Sequence, residues 1–330
     1  MLPAKFVERV LRELGPDEGG ALCRALTGEP SVSVRLNAAK GLAAPSGRPI
    51  GWSTGGYWLD ARPSFTLDPD FHAGRYYVQE ASSQFVGHIV AACGGIGDGR
   101  VLDLCAAPGG KTTLYSTLAG RGGLVVANEI VRNRAAVLAD NVRKWGVGNV
   151  AVTVNDPSQV ARLEGWFDAV AVDAPCSGEG MFRKLEEART EWSEAGVALC
   201  AERQRGILRE AWRALRPGGL LLYSTCTFNF TENEGVLRDF LVWAAGETEP
   251  AERIAVDPAW GVVCGAEGDF QTFRFYPHRV EGEGFFAAAV RKRAAGGERR
   301  RVPRPQRDPL AWADRRAVQE VGGQAVLGRQ

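Results

Sequence analysis

Short apolar runs alternate with helical patterns through the middle of the chain, and this alternation restricts the fold more than any other feature. The runs predict strands, and the segments between them have helical periodicity: strands at 100–106, 123–130, 149–156, 167–175 and 219–227, helices at 111–120, 131–146, about 195–216 and 232–245. Nearly continuous apolar strands separated by helices are typical of a parallel sheet covered on both faces. Two more strands, joined by a Gly/Glu turn, are predicted within 271–292. We therefore expect an α/β fold.

The turn after the first strand, DLCAAPGGKTT at 103–113, is compatible with two kinds of ligand site. A phosphate loop of the form G-x-x-x-x-G-K-[ST] would match at 105–112, but Cys105 stands where its first glycine should be. Without that glycine the loop would curl poorly around an anion. The alternative is a nucleoside cofactor, which the backbone can approach closely where Gly109 and Gly110 lack a Cβ atom.

The ends of the next two strands favour the nucleoside cofactor. Glu129 ends the second strand, a position from which a carboxylate can bind ribose hydroxyls. Asp156 ends the third strand and is placed to reach the edge of an adenine. In doubly wound sheets, ligands bind at the carboxyl ends of the strands, where all of these residues lie. S-adenosylmethionine is therefore the expected ligand, and ATP in a P-loop ATPase is the alternative.

Two cysteines follow two strands that we expect to be neighbours, Cys176 in DAPCSGEG and Cys226 in STCTF. A lone cysteine at a strand end is usually a small buried hydrophobe, so core packing is the alternative interpretation. Beside a methyl donor, two thiols suggest methylation of a pyrimidine carbon. A thiolate that adds to C6 makes C5 nucleophilic, and release then requires loss of the C5 proton. Asp173 fits base recognition, because a carboxyl can hydrogen-bond the N4 or N3 edge of cytosine.

Composition limits the class of protein and its compartment. The 330 residues are 45% hydrophobic and 24% charged, as in a globular protein. Seven cysteines without a C-x-x-C pair, and three histidines, argue against a zinc site or a disulfide framework and suit a reducing compartment. The first residues, MLPAKFVERVLREL, form an amphipathic pattern with charges, unlike a signal peptide or a membrane span. We expect a cytoplasmic monomer with no metal and no membrane partner.

Charge is divided unevenly along the chain. From Arg291 to the end there are eleven basic and four acidic residues, so this segment has a net charge of +7 and the rest of the chain −6. The segment 294–330 is basic and rich in proline and glycine, which predicts a flexible tail. Such a tail can contact phosphate backbones, and a solvated linker is the alternative. Arg183 and Lys184, after Cys176, are further candidate phosphate contacts, with a solvated charged pair as the alternative.

The motifs together resemble the Fmu/Sun-type RNA cytosine-C5 methyltransferases, and among them the bacterial RsmF-like rRNA enzymes. The resemblance covers about residues 31–293. Six segments carry it: SVSVRLN (31–37), GRYYVQEASSQFV (74–86), DLCAAPGGKTT, DAPCSGEGMFRK (173–184), RPGGLLLYSTCTFNFTENE (216–234) and PHRVEGEGFFAAAVRK (277–292). It implies a Rossmann-like S-adenosylmethionine-dependent methyltransferase domain at 76–293. It also implies a smaller N-terminal α+β region of RNA-binding type at 1–75.

The resemblance also implies roles for individual residues. Cys226 would be the nucleophile, Cys176 would assist release of the product, and Asp173 would face the target base. The methyl-donor site would be lined by Cys105, Ala106, Ala107, Pro108, Gly109, Gly110, Lys111, Glu129, Asp156 and Asp173. Ribosomal RNA is the expected partner. The alternatives are a tRNA methyltransferase, a small-molecule methyltransferase, and a non-catalytic RNA-binding assembly protein on the same fold.

Overall fold

The computed structural model describes residues 1–120 and 122–294, and the backbone of two short strands beyond them. The helices are α1 Ala4–Ala25, α2 Pro69–His72, α3 Phe85–Ala92, α4 Gly110–Leu118, α5 Arg132–Trp145, α6 Pro157–Val160, α7 Glu186–Glu191, α8 Glu194–Ala214 and α9 Glu234–Ala244. The strands are β1 Ser33–Leu36, β2 Gly47–Pro49, β3 Gly56–Leu59, β4 Tyr76–Val78, β5 Arg100–Asp103, β6 Leu124–Asn128, β7 Val150–Thr153, β8 Phe167–Asp173, β9 Leu215–Thr225, β10 Thr248–Glu249, β11 Val263–Glu267, β12 Phe270–Phe275, β13 Phe285–Lys292, β14 Val318–Val321 and β15 Gln324–Leu327.

The large sheet has the order β11-β12-β13-β9-β8-β5-β6-β7, with β10 paired to β13. Strands β5 to β9 are parallel, and β13 runs antiparallel beside β9. The chain builds β5, β6 and β7 outward, then crosses back to place β8 on the other side of β5. The carboxyl ends of β5 and β8 therefore form the topological switch point at which ligands bind in such sheets. The predicted α/β fold is confirmed.

Helices cover both faces of this sheet, as the continuous apolar strands predict. On one face, α3 and α4 pack Phe85 and Tyr115 against alternate strand residues such as Val101. On the other face, α8 and α9 pack against the intervening residues, among them Leu102. Helix α8 begins where Ser193 accepts a hydrogen bond from the backbone N–H of Gly196. Every strand and helix predicted between residues 100 and 292 is present, with ends shifted by a few residues.

The N-terminal region consists of α1 and a four-stranded antiparallel sheet with the order β2-β3-β1-β4. Helix α1 changes direction at Gly15, where a φ of 80° precedes Pro16. The boundary predicted at residue 75 falls one residue before β4, the last strand of this sheet. Phe6 and Leu22 of α1 pack against residues of the large domain, in a cluster that includes Phe182. Helix α1 therefore lies directly against the segment that follows Cys176.

The tail predicted at 294–330 lies mostly outside the described residues. Within it, only the backbone of β14 and β15 is described, and these strands pair antiparallel. The structure therefore leaves the prediction of a flexible basic tail as a prediction.

Candidate active site

A cavity of about 370 Å³ opens at the carboxyl ends of β5 and β8. It is lined by Tyr77, Val78, Gln79, Glu80, Ser83, Asp103, Cys105, Ala106, Ala107, Pro108, Gly110, Lys111, Asp173, Gly180, Met181, Lys184, Cys226, Glu283, Gly284 and Phe285. The position is the one that the switch point of the sheet predicts. Residues of the N-terminal sheet, of the first turn and of the cysteine segments thus meet around one space.

The turn between β5 and α4 forms one wall of the cavity. Gly109 has a φ of 111°, and a Cβ atom there would lie 3.0 Å from Leu138 Cδ1, so the turn requires glycine at this position. Gly109 itself does not line the cavity, whereas the other predicted residues of the turn do: Cys105, Ala106, Ala107, Pro108, Gly110 and Lys111. Burial raises the pKa of the Cys105 thiol, so this side chain is a neutral, weakly polar part of the wall.

Lys111 and Asp173 line the cavity and form an ion pair, and Ser224 hydrogen-bonds the carboxylate. Lys111 Nζ lies 2.9 Å from Asp173 Oδ2, and Asp173 Oδ1 accepts a hydrogen bond of 2.8 Å from Ser224 Oγ. Burial alone would lower the pKa of Lys111, but the neighbouring Asp173 carboxylate outweighs it and raises that pKa. Lys111 is therefore an ammonium ion at neutral pH, held against one carboxylate and 5.0 Å from the centre of the Phe285 ring.

Asp103, the last residue of β5, is the most strongly perturbed carboxyl of the cavity. It is 1% exposed, and Thr112 donates a hydrogen bond of 2.7 Å to Oδ2. Its Oδ1 atom has no hydrogen-bond partner in the part of the chain that the structure describes. Burial raises the pKa of Asp103 to about 7, with a smaller contribution from the nearby Asp173 charge. The sequence analysis did not single out this residue, because an aspartate at a strand end is uninformative until its burial is known.

The two cysteines predicted to lie together do so. Cys176 Sγ and Cys226 Sγ are 3.3 Å apart, and both thiols are free. The cause is the parallel pairing of β8 with β9, which places Asp173 opposite Ser224. Cys176 comes three residues after Asp173, and Cys226 comes two residues after Ser224, so both cysteines leave the sheet at the same edge. The hydrogen bond with Cys226 and burial raise the pKa of Cys176, which favours the protonated thiol of this residue.

Buried carboxylates hold the two cysteine segments together. Glu232 accepts hydrogen bonds from the backbone N–H of Ser177 (2.9 Å), from Gln204 Nε2 (2.8 Å) and from Asn229 Nδ2 (2.8 Å). Glu179 has a similar position on the other side of Asn229. The sequence analysis missed both glutamates. Their sole signal was their place inside the two cysteine motifs, which does not distinguish a solvated glutamate from a buried one.

Glu129 and Asp156 do not line the cavity. Glu129 is 3% exposed, and its Oε1 accepts a hydrogen bond of 3.0 Å from the backbone N–H of Val131. Asp156 is exposed and caps the start of α6, where its Oδ1 accepts hydrogen bonds from Ser158. These hydrogen bonds lower the pKa of Asp156. Both residues stand at the predicted sheet edge, and their roles toward a cofactor remain predictions.

The two basic residues after Cys176, Arg183 and Lys184, have different environments. The Arg183 side chain is only 9% exposed, and its Nε donates a hydrogen bond of 2.8 Å to Glu283, so the solvated-pair interpretation is wrong for this residue. Lys184 is exposed at the mouth of the cavity. Glu283 also accepts hydrogen bonds from the backbone N–H and the hydroxyl of Ser31. Arg183 is therefore part of the frame of the cavity, and Lys184 is the one of the two that faces solvent.

Within residues 1–120 and 122–294, no three histidine, cysteine, aspartate or glutamate side chains are grouped so that they could hold a metal ion. Across the same part of the chain, no helix combines the length and the apolar character needed to cross a membrane.

Comparison with known proteins places this chain in a family. Residues 96–291 match the family model described as 16S rRNA methyltransferase RsmB/F, and residues 2–81 match the model of the N-terminal domain of 16S rRNA methyltransferase RsmF. A methyltransferase homolog protein from Pyrococcus horikoshii has a solved structure that is similar to this chain with a TM-score of 0.69. It is 26% identical, over 86% of this chain and 93% of the other.

Curated relatives carry the name ribosomal RNA small subunit methyltransferase F. The one from Erwinia tasmaniensis is 38% identical over 257 residues, which cover 75% of this chain and 52% of the relative. The one from Pectobacterium atrosepticum is 33% identical over 347 residues, which cover 97% of this chain and 69% of the relative. This chain spans about half the length of the first curated relatives it matches. Because one family model matches more than half of the chain, and more than two thirds of the Pectobacterium relative is covered, the chain belongs to the RsmB/F methyltransferase family.

Proposed function

We propose that this protein transfers a methyl group from S-adenosyl-L-methionine to C5 of a cytosine in small-subunit ribosomal RNA. The observation that carries the proposal is the thiol pair, with Cys176 Sγ and Cys226 Sγ 3.3 Å apart and Cys226 in the wall of the cavity. One thiol can form a bond to C6 while the other reaches the adjacent C5 atom. Core packing gives no reason for two thiols to meet at the ligand edge of the sheet.

The residues present fit S-adenosylmethionine. The cavity is large enough for part of a nucleoside, and residues 105–108, 110 and 111 of the turn line it. Asp103 Oδ1, which has no hydrogen-bond partner among the described residues, is an acceptor for a cationic or hydroxyl group. The residues that would hold it are the turn from Cys105 to Lys111, with Glu129 toward the ribose and Asp156 toward the adenine. When bound, the cofactor supplies an electrophilic methyl group.

The chain's own groups account for the remaining chemistry. Asp173 hydrogen-bonds the N4 or N3 edge of the cytosine, and the Cys226 thiolate adds to C6, which moves an electron pair onto C5. After C5 has been methylated, the Cys176 thiol gives its own proton to solvent, and the resulting thiolate removes the C5 proton. The electron pair of that C–H bond forms the C5–C6 double bond again, and the C6–S bond breaks to release the Cys226 thiolate. This step leaves Cys176 as the thiol and Cys226 as the thiolate, the two forms with which the reaction began.

The RNA partner is inferred from two sources. Relatives that are 33–38% identical are named as small-subunit ribosomal RNA methyltransferases, which favours ribosomal over transfer RNA. The N-terminal region, residues 1–75, is the proposed RNA-binding unit, and the exposed Lys184 at the cavity mouth is placed to contact a phosphate of the target strand. The basic residues after Arg291 add sequence-independent attraction to phosphates.

The proposal is tested with cysteine variants and labelled S-adenosylmethionine, using deproteinised small-subunit rRNA and bulk tRNA as parallel substrates. Cys226→Ala should abolish transfer to RNA and retain cofactor binding. Cys176→Ala should still attack C6 but release product poorly, so that a covalent protein–RNA adduct survives denaturing electrophoresis. The double variant should form no adduct. Cys264→Ala, at an exposed cysteine away from the cavity, is the matched control and should behave as wild type.

Several results would contradict the proposal. An adduct from Cys226→Ala and none from Cys176→Ala would reverse the two roles. Full activity in both single variants would mean that the two cysteines serve only to pack the core. Transfer to tRNA but not to rRNA would keep the chemistry and change the target, and binding of RNA without any transfer would support the non-catalytic alternative.

A further inference from the structure

Glu179, three residues after Cys176, is fully buried and accepts hydrogen bonds from four groups. Its Oε1 accepts from Arg9 Nη2 (2.5 Å), from Trp192 Nε1 (3.1 Å) and from Asn229 Nδ2 (3.1 Å), and its Oε2 accepts from the backbone N–H of Phe228 (2.9 Å). Phe228 and Asn229 belong to the segment after Cys226. One carboxylate therefore joins the two cysteine segments to each other.

The segments are also in direct backbone contact beside this carboxylate. The N–H of Gly180 donates a hydrogen bond of 2.8 Å to the carbonyl oxygen of Cys226. A Cβ atom on Gly180 would lie 3.0 Å from that same oxygen and 2.9 Å from the carbonyl oxygen of Gly284. The two segments thus approach as closely as backbones can, and a shift of Glu179 would move Gly180 and the Cys226 carbonyl together.

The cation that balances Glu179 comes from the N-terminal helix. Arg9 is 5% exposed, and it packs against Phe6 of α1 and against Trp192, whose rings lie 5.4 Å and 5.2 Å from the guanidinium carbon. Glu13 contributes an ion pair at 3.7 Å on the same helix. Arg9 and Glu179 are 170 residues apart in sequence, so the contact exists only when α1 is docked on the large domain.

We propose that Arg9 is a positioning residue for methyl transfer, acting through Glu179 to hold the Cys176 and Cys226 segments at their mutual distance. The expected effect of Arg9 on the rate of methyl transfer rests on the proposed function. Its expected effect on the distance between the two thiols rests on the geometry alone. A buried carboxylate that loses the cation paired with it is strongly disfavoured, so Glu179 would turn toward water or take up other partners. Either change loosens the links to Phe228 and Asn229.

The proposal assigns the N-terminal region a part in catalysis that differs from RNA binding. A residue that only binds RNA changes KM and leaves the thiols as they are. A residue that only adds stability changes the amount of folded protein, not the behaviour of the folded fraction. Arg9 should instead change kcat and the partition between adduct and free product, because misplacement of a reacting group by about 1 Å can cost on the order of 100-fold in rate.

The test compares three variants of α1 in the full chain. Arg9→Met removes the charge and keeps an unbranched, apolar stem, and Arg9→Lys retains a cation. Lys5→Met is the matched control, since Lys5 lies on the same helix and pairs with Glu194, but both of these side chains are more than half exposed. The first readout needs no RNA: dibromobimane bridges two thiols only when they lie close together, and peptide mass spectrometry reports the bridged Cys176–Cys226 fraction. The second readout is the kcat, the KM for RNA and the adduct yield.

In Arg9→Met, dibromobimane should bridge the two thiols several-fold more slowly, and kcat should be lower by on the order of 10- to 100-fold. The KM for RNA should be unchanged, and a covalent protein–RNA adduct should be visible although Cys176 is still present. Arg9→Lys should recover much of both effects, and Lys5→Met should match wild type. Wild-type bridging and kcat in folded Arg9→Met would overturn the proposal. If the wild type methylates no RNA, the proposed function fails, while the bridging result still decides the positioning role.

If Arg9→Met does not fold, Glu179→Gln applies the same test from the other side. It removes the charge that Arg9 balances and keeps an acceptor oxygen for Phe228 or Asn229. The expected result is again slow bridging and a lower kcat. Wild-type values for both in folded Glu179→Gln would refute the role of the ion pair in spacing the thiols.

Discussion

Replacing Asp103 by asparagine should make the protein more stable at neutral and higher pH. Asp103 ends β5 at the cavity wall, is 1% exposed, and accepts one hydrogen bond from Thr112. Asparagine has nearly the same shape and can keep a hydrogen bond to that hydroxyl. The substitution therefore removes the ability to ionise and changes little else in the packing.

The magnitude follows from the pKa of Asp103, which burial raises from 3.8 to about 7. Between these two pH values, the folded protein retains a proton that the unfolded chain has already released. The free energy of unfolding of the wild type therefore decreases as the pH rises from about 4 to about 7, and the loss is constant at higher pH. A difference of about three pKa units corresponds to about 4 kcal/mol. The asparagine of the Asp103→Asn variant does not ionise, so the variant should be more stable than wild type by up to this amount above pH 7.

The measurement is urea unfolding of the wild type and of Asp103→Asn at several pH values from 5 to 8.5. The gap between the two curves should widen up to about pH 7 and then stay level. Asp156→Asn is the control, because hydrogen bonds with Ser158 lower the pKa of that exposed carboxyl. The stability that the Asp156 carboxylate contributes is lost only as the pH falls toward the acid range. The curve of Asp156→Asn should therefore run parallel to that of the wild type above pH 5. Parallel curves for Asp103→Asn as well would refute the reasoning.

Three other predictions concern ligands. Glu129→Ala should weaken S-adenosylmethionine binding about tenfold or more, because a charge-assisted hydrogen bond contributes roughly 1.5–3 kcal/mol; calorimetric titration measures it, and an unchanged affinity in the folded variant would remove Glu129 from the site. Methylation should be faster on a cytosine in a loop than on the same nucleotide in a stable duplex, because C5 and C6 are not reachable in a stacked helix; equal rates in a paired-substrate assay would contradict this. RNA affinity measured by filter binding should fall linearly on a log–log plot against salt, because phosphate contacts release counterions; a flat plot would exclude a phosphate-dominated interface.

The architecture and the meeting of the two thiols could be predicted from sequence because both depend on local patterns. Each strand is a run of apolar residues, and parallel neighbours end at one edge, so Cys176 and Cys226 had to lie near each other once β8 and β9 were recognised. These features follow from short segments read one at a time.

The buried ion pairs and hydrogen bonds around the site could not be predicted in the same way. Arg9 meets Glu179 across 170 residues, and Ser31 meets Glu283 across 252. Nothing in the pattern around Glu179 distinguishes it from an exposed glutamate, because its burial depends on the docking of α1. The same is true of Asp103, whose perturbed pKa arises from the packing of elements on both sides of β5. Long-range packing decides which polar residues are buried, and a periodic pattern does not contain that information.

The N-terminal region contacts both halves of the candidate site, and this affects how its variants should be interpreted. Arg35 of β1 is 2% exposed and donates hydrogen bonds to the carbonyl oxygen of Gly110 (3.2 Å) and to Thr113 Oγ1 (2.6 Å), at the start of α4. It thereby supports the turn proposed to hold the cofactor, whereas Arg9 reaches the cysteine segments. A loss of methylation in an N-terminal variant therefore does not by itself identify an RNA contact. Only a change in KM for RNA, with kcat and cofactor affinity retained, indicates one.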